Sequence, residues 1–186
     1  MADPQRELLL DDRTVERVLA RMAREIVEQV GDLDKLLLIG IHRRGVDLAR
    51  WLSDEIGKAE STAIPTGSLD ITLYRDDLMA IGPRPIVGET RLPTGGIDGK
   101  TVVIVDDVLY TGRTVRAALD ELADFGRPAR IQLAVLVDRG GRELPIHADI
   151  VGRTVQVATG GSVDVRVAEL DGEDSVVVTG AEEGSA

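Results

Sequence analysis

The sequence has 186 residues and no cysteine, so it is long enough to bury a core without disulfides, and a thiolate metal site is excluded. Its 33 acidic and 22 basic residues give a net charge of −11, which argues against a broad basic nucleic-acid surface but leaves a local one open. Aromatic residues make up only 2%, which disfavours a surface that stacks several bases. No apolar run approaches the length of a membrane span. We therefore expect one cytoplasmic domain over residues 1–186.

The first part of the sequence indicates a helix, a strand and a second helix. Apolar residues recur at helical spacing over residues 15–31, with Asp12 or Thr14 as a cap. Residues 36–41 form a continuous apolar run, as in a buried strand, and residues 45–57 return to the helical spacing. This order of elements favours a parallel sheet.

The next segment predicts a half-exposed strand and a loop. Leu69, Ile71 and Leu73 alternate with polar neighbours, which is typical of a strand with one buried face. Residues 82–99 hold three prolines and five glycines without clear periodicity. A loop of this length is uncommon in a compact domain, so we expect it to be functional.

Residues 102–114 carry the most informative pattern. Four β-branched residues lead into Asp106 and Asp107, and a Thr-Gly-x-Thr turn follows. Carboxylates at the carboxyl end of a buried strand can accept hydrogen bonds from vicinal hydroxyls or hold hydrated Mg²⁺. Thr111 or Thr114 can cap the next helix, and Gly112 lets backbone amides approach a phosphate. The pattern predicts a site for a phosphorylated sugar.

The remainder completes an alternating pattern. We predict a helix to about residue 125, a buried strand at 131–137, short strands around 148–151, 163–168 and 175–178, and a frayed tail at 179–186. Strands that alternate with helices argue for an open, mostly parallel sheet covered on both faces.

A second anion site is predicted where the strand at 36–41 leads into its helix. Arg43 and Arg44 precede Gly45 there, and guanidinium groups bind phosphate oxygens in pairs while a helix start adds backbone donors. His42 is expected only to be exposed.

Residues 102–114 resemble the thirteen-residue signature of the type I phosphoribosyltransferases, which bind 5-phosphoribosyl-1-pyrophosphate (PRPP). The resemblance implies their α/β fold, with an open, mostly parallel sheet flanked by helices and a flexible lid at residues 82–99. It also implies that Asp106 and Asp107 hold the ribose hydroxyls, and that Arg43, Arg44 and Gly45 bind pyrophosphate. The implied PRPP-binding residues are Val102, Val103, Ile104, Val105, Asp106, Asp107, Val108, Leu109, Tyr110, Thr111, Gly112, Arg113 and Thr114.

Residues 69–78 and 132–146 are similar to one branch of this family, the pyrimidine-operon attenuation proteins that are also uracil phosphoribosyltransferases. This implies phosphoribosyl transfer from PRPP to uracil, which gives UMP and pyrophosphate. Mg²⁺ would be bound mainly through PRPP, without a separate protein metal site. The implied catalytic residues are Asp106, Asp107 and Arg75, with Arg84 and Arg91 as further pyrophosphate contacts, and the implied base-binding residues are Val137, Asp138, Arg139 and Val163.

The same branch binds a hairpin in the leader RNA as a dimer, and UMP tightens that binding. The resemblance therefore implies a leader mRNA partner and a homodimer or higher homo-oligomer. The matching RNA-binding positions are Arg21, Arg24, Arg142, His147 and Arg153, whereas Ala20, Gly141 and Val157 replace hydroxyl or basic residues of other members.

Two alternatives stay open at this point. Base specificity lies in backbone contacts, so a purine-type phosphoribosyltransferase fits the same composition. A non-catalytic regulator that senses a nucleotide in order to control RNA binding would keep the same nucleotide site. Whether regulation acts on transcription or on translation is also open.

Overall fold

The computed structural model describes residues 6–74 and 89–181. The main sheet has five strands: β2 (Leu36–Ile41), β3 (Thr66–Leu69), β4 (Thr101–Leu109), β5 (Arg130–Asp138) and β6 (Ile150–Thr154). They are all parallel and lie in the order β3-β2-β4-β5-β6. Their continuous apolar runs suit strands that are buried on both faces.

Helices cover both faces of this sheet, as predicted. The helices α1 (Asp12–Val30) and α2 (Arg44–Glu60) contribute to one hydrophobic cluster with Val103 and Val105 of β4. The helix α3 (Arg113–Ala123) packs with the alternate residues Val102 and Ile104 in a second cluster. Among the residues that the structure describes, no helix is both long enough and apolar enough to span a bilayer.

A second sheet was not predicted. It consists of three antiparallel strands, β1 (Arg6–Leu10), β7 (Val157–Arg166) and β8 (Ser175–Ala181), which pair in the order β1-β8-β7. The short helix α4 (Ala168–Asp171) connects β7 to β8. The prediction of a frayed tail was wrong for residues 179–181, which lie in β8. Residues 182–186 lie outside the described part of the chain.

Several local predictions also need correction. The strand predicted through Ile71 and Leu73 ends at Leu69 and gives way to a 3-10 helix, Ile71–Tyr74. The cap of α1 is Asp11, whose carboxylate accepts from the Thr14 amide at 2.9 Å. The strand β4 continues to Leu109, so the acid pair lies within the strand and not at its end.

Candidate active site at the carboxyl edge of the parallel sheet

The carboxyl ends of the central strands meet around one cavity. In the parallel register Gly40 of β2 lies beside Val105 of β4, and Asp106 lies beside Val135 of β5. The cavity at this edge has a volume of ≈ 360 Å³. Its polar lining comprises His42, Arg43, Asp70, Thr72, Asp106, Asp107 and Thr114.

Glycine brings the arginine loop against the acid strand. A Cβ on Gly45 would lie 2.4 Å from the Val105 carbonyl oxygen and 3.3 Å from the Asp106 Cα. The peptide between His42 and Arg43 is cis. Only a residue without a side chain fits at this position, and the absence of a side chain lets the loop lie directly beside the acid pair. This geometry is compatible with the predicted site, in which Arg43 lies together with Asp106 and Asp107.

Burial governs the electrostatics of the acid pair. Asp106 is only 7% exposed, and its carboxylate accepts a hydrogen bond from the Asp107 amide at 2.9 Å. Burial raises the pKa of Asp106 well above its ordinary range, and the negative charge of Asp107 raises it further. The two carboxyls therefore favour a cationic ligand, which would offset the cost of charging Asp106.

The turn after β4 presents backbone donors. Gly112 is the N-terminal cap of α3 with φ 91°, so neither Thr111 nor Thr114 is the cap residue. The Thr111 hydroxyl accepts from the amide of Arg113, the first residue of the helix, at 3.3 Å. The first-turn amides and the positive end of the helix dipole suit a phosphate.

The two arginines of the loop differ in their surroundings. Arg43 is exposed and lines the cavity. Arg44 instead forms a bidentate ion pair with Asp171 of α4, at 3.1 Å for both contacts. This hydrogen bond to Asp171 is the main cause of the raised pKa of Arg44. Arg44 thus links the loop to α4, which connects the strands β7 and β8 of the antiparallel sheet. The sequence did not predict this contact.

The predicted base-binding residues lie at the end of β5 and across from it. Val137 is fully buried, so only its backbone could reach a ligand. The Arg139 guanidinium stacks over the Tyr110 ring at 4.0 Å and donates to the Gly161 carbonyl at 3.0 Å. Val163 is half-buried on β7.

Sequence reasoning missed a buried acid that is linked through Thr90 to Asp70 of the cavity lining. Glu121 of α3 is 3% exposed and accepts a hydrogen bond from the Thr90 hydroxyl, which in turn accepts from the Asp70 amide at 2.9 Å. Burial raises the pKa of Glu121. Asp70 itself was also missed, although its position just after β3 at the carboxyl edge was a usable signal.

The predicted RNA-binding residues are placed unequally. Arg24, His147 and Arg153 are exposed. Arg21 donates to the carbonyls of Val151 at 2.9 Å and Gly152 at 2.6 Å, so it joins α1 to β6 next to Arg153. Arg142 is held by hydrogen bonds within the protein.

Arg75 and residues 82–88 of the predicted lid, among them Arg84, lie outside the described residues. Arg91 is exposed and pairs with Glu89 at 2.6 Å, while its backbone pairs with Ser68 of β3. The end of the predicted lid is therefore attached to the sheet.

Residues 5–170 match the model of the phosphoribosyl transferase domain. Curated relatives named "Bifunctional protein PyrR" cover nearly the whole chain. The relative from Herpetosiphon aurantiacus is 56% identical over 91% of this chain and 95% of its own, and the one from Desulfosudis oleivorans is 55% identical over 94% and 96%. The relative from Thermus thermophilus is 55% identical over 90% and 92%.

Solved structures confirm the predicted fold. The hypoxanthine phosphoribosyltransferase of Trypanosoma cruzi superposes with a TM-score of 0.70 at 19% identity, covering 95% of this chain and 97% of that one. The corresponding enzyme of Staphylococcus aureus gives 0.66 at 18% identity over 95% and 93%. At this level of identity the likeness concerns the fold alone.

Proposed function

The chain belongs to the phosphoribosyl transferase family, and within it to the PyrR proteins; on that premise we propose a bifunctional protein of pyrimidine metabolism. It transfers the phosphoribosyl group of PRPP to uracil, giving UMP and pyrophosphate. It also binds the leader mRNA of the pyrimidine operon in a UMP-dependent manner and so regulates the operon. We place both activities in the cytoplasm.

The acid pair at the cavity supports the transfer reaction. In this step N1 of uracil gives up its proton to solvent and bonds to the anomeric carbon while the bond to pyrophosphate breaks. The ribose gains positive charge in the transition state. Asp106 and Asp107 bind the ribose hydroxyls and stabilise that charge, because both line the cavity, where Asp106 is buried and Asp107 is half-buried. The amides at the start of α3 bind the 5-phosphate.

Arg43 is the arginine best placed for the departing pyrophosphate, since it lines the same cavity. Arg44 holds the loop through Asp171, and Gly45 keeps the loop close to β4. Arg75 and the predicted lid at residues 82–99, which is anchored to β3 through Arg91, complete the site by covering PRPP and excluding water.

The residues at the cavity also fit Mg²⁺. Asp70, Asp106 and Asp107 present the carboxylate oxygens that Mg²⁺ prefers. Among the described residues no three acidic or histidine side chains are grouped to hold an ion by themselves. We propose that PRPP oxygens and water supply most of the ligands of the ion. When bound, Mg²⁺ neutralises charge on the leaving pyrophosphate.

Uracil binds between the end of β5 and β7. Asp138 and Arg139 lie at the end of β5, and Val163 lies on β7. The stack of Arg139 on Tyr110 orders this edge, and the backbone of Val137 contributes the remaining polar contacts.

The RNA function rests on an exposed basic face. Arg21 contacts the residue next to Arg153, and Arg153 lies beside Val137 in the parallel register, so the face adjoins the base site through β6. Arg24 extends it along α1, and His147 lies on the loop after β5. A homodimer or higher homo-oligomer presents two such faces to the hairpin.

The single observation that carries the enzymatic proposal is the convergence of Asp106, Asp107, Arg43 and the start of α3 on one cavity. The test is a pyrophosphate-release assay with PRPP, Mg²⁺ and one base at a time. We expect release with uracil and little with hypoxanthine or guanine. Equal release with a purine would favour the purine-type enzyme, and no release with any base, together with UMP-dependent hairpin binding, would favour the non-catalytic regulator.

A further inference from the structure

Arg142 joins two parts of the nucleotide site to the segment that carries His147. Its Nη2 donates to the Asp138 carboxylate at 2.5 Å, at the end of β5 where the base is proposed to bind. Its Nη1 donates to the Tyr110 carbonyl at 2.8 Å, just before the phosphate-binding turn. Its Nε donates to the Ile146 carbonyl at 2.8 Å, next to His147.

The loop at residues 140–147, which we call the coupling loop, also rests on the phosphate-binding turn through its backbone. The amides of Glu143 and Leu144 donate to the Thr111 carbonyl at 3.0 and 3.1 Å. The Glu143 carboxylate accepts from Arg113 at 2.7 Å. A ligand phosphate at this turn would therefore act on the residues that hold the coupling loop.

Glycines make the packing of the coupling loop close. A Cβ on Gly112 would lie 3.3 Å from the Ile146 Cβ, and a Cβ on Gly141 would lie 2.4 Å from the Tyr110 ring. Such contact leaves little room for the loop and the turn to move independently. Movement at the turn is therefore transmitted to the segment that carries the exposed His147.

The guanidinium of Arg142 is engaged inside the protein. Its side chain is 23% exposed, and each of its three nitrogens donates to a protein acceptor. Nη1 also donates to the Gly140 carbonyl at 3.4 Å, so four of the five guanidinium N–H groups are engaged. No free pair of donors remains of the kind with which arginine binds a nucleic-acid phosphate.

We propose that Arg142 is a positioning residue that couples nucleotide binding to RNA binding, and that it does not itself contact the RNA. This inference rests on the proposed function. UMP at the phosphate turn and the end of β5 stabilises the acceptors of Arg142, and Arg142 then fixes the coupling loop in the form that binds the hairpin. A ligand can shift such an equilibrium only if it interacts differently with the two arrangements, and these shared hydrogen bonds provide that difference.

The test compares Arg142→Lys with Arg142→Gln. Lysine keeps the charge but cannot span three acceptors as arginine does. The measured quantity is the ratio of hairpin Kd without UMP to hairpin Kd with saturating UMP, using a transcribed pyrimidine-operon leader hairpin as the probe. UMP affinity is measured separately for each variant, so that saturation is known. Arg153→Gln is the control on the exposed face.

We expect the ratio to fall to about one in both Arg142 variants, because both lose the three-way contact. In Arg153→Gln we expect a weaker Kd by a similar factor in both states, with the ratio unchanged. An Arg142→Lys protein that keeps the wild-type ratio would overturn the inference. A wild-type protein that binds the hairpin without any UMP effect would overturn the proposed regulation and the inference together.

A milder variant covers the case in which Arg142 variants do not fold. Glu143→Gln removes the exposed ion pair with Arg113 and leaves Arg142 in place. We expect a partial loss of the UMP effect, together with reduced hydrogen-exchange protection of residues 140–147 when UMP is bound. Wild-type protection and a wild-type ratio in this variant would count against the coupling loop.

Discussion

A Cβ on Gly45 would lie 2.4 Å from the carbonyl oxygen of Val105. The loop that carries Arg43 is therefore in contact with the backbone of the strand that carries the acid pair. This contact, and not a bond between side chains, sets the spacing between the proposed pyrophosphate and ribose sites. It accounts for a glycine immediately after two arginines.

Gly45→Ala should displace the loop, since the obstructing atom is a backbone oxygen and cannot rotate away. We expect kcat/KM for uracil transfer to fall by about tenfold to 10²-fold, as small misplacements in a preorganised site do, and stability to fall by about 1–3 kcal/mol through overpacking. The matched control is Gly57→Ala on the same helix, where only the Thr62 carbonyl oxygen lies within 4 Å of the added Cβ, at 3.0 Å. Equal activity of both variants would mean that the contact does not set the site.

Asp106→Asn and Asp107→Asn should each lower uracil phosphoribosylation by on the order of 10², because a preorganised electrostatic partner of the ribosyl group is lost. The fold should persist, since burial and Asp107 already favour the neutral form of Asp106. Steady-state kinetics and thermal unfolding measure the two effects. Asp120→Asn, on the exposed side of α3, is the control. Near-normal turnover of the Asp107 variant would remove its ribose-binding role.

Glu121 should make stability depend on pH. Burial raises its pKa in the folded protein above the ordinary value of 4.5, so the folded state binds the proton more tightly than the unfolded state. The contribution of Glu121 to stability is fully present below pH 4.5, and it is lost as the pH rises through the raised pKa of the folded state. Glu121→Gln, which does not titrate, should therefore gain stability relative to wild type over that range.

Urea unfolding at a series of pH values measures this difference. Glu28→Gln, at an exposed position of α1, should show no such trend. A stability difference between Glu121→Gln and wild type that is constant with pH would show that burial does not perturb this carboxyl.

The RNA face can be tested without altering Arg142. Replacing Arg24 and Arg153 together by glutamine should weaken hairpin binding and make its salt dependence shallower by about one unit of slope for each lost phosphate contact. The control is Arg130→Gln, which is exposed at the opposite end of β5. Filter binding from low to moderate salt, with uracil turnover as a check on folding, measures the slope. An unchanged slope would place the RNA elsewhere.

The sequence predicted the parallel sheet well because buried strands leave a strong local pattern. The apolar run at Leu36–Ile41 was predicted with its observed bounds, and the strand before the acid pair was found for the same reason. The cavity followed from topology, since parallel strands end at one edge.

The remaining features depend on partners that are distant in sequence. The strand β1 has three leucines in a row, of which Leu8 is 59% exposed. Apolar and polar residues therefore do not alternate there, and nothing in the sequence indicates a strand. Glu121 forms its buried hydrogen bond with Thr90, and Arg44 forms its ion pair with Asp171. Neither partner is close in the sequence. The resemblance implies that Arg142 binds RNA, and sequence reasoning does not find its internal contacts because its acceptors are mostly backbone carbonyls.

The central claim is that one nucleotide site serves both activities. The most direct measurement compares two UMP concentrations: the Ki of UMP against PRPP in uracil transfer, and the UMP concentration that gives half of its effect on hairpin binding with trace RNA. We predict that the two agree within about threefold, and that Thr114→Val at the cavity raises both together. Values that differ by more than about tenfold, or a Thr114 variant that changes only one of them, would contradict a shared site.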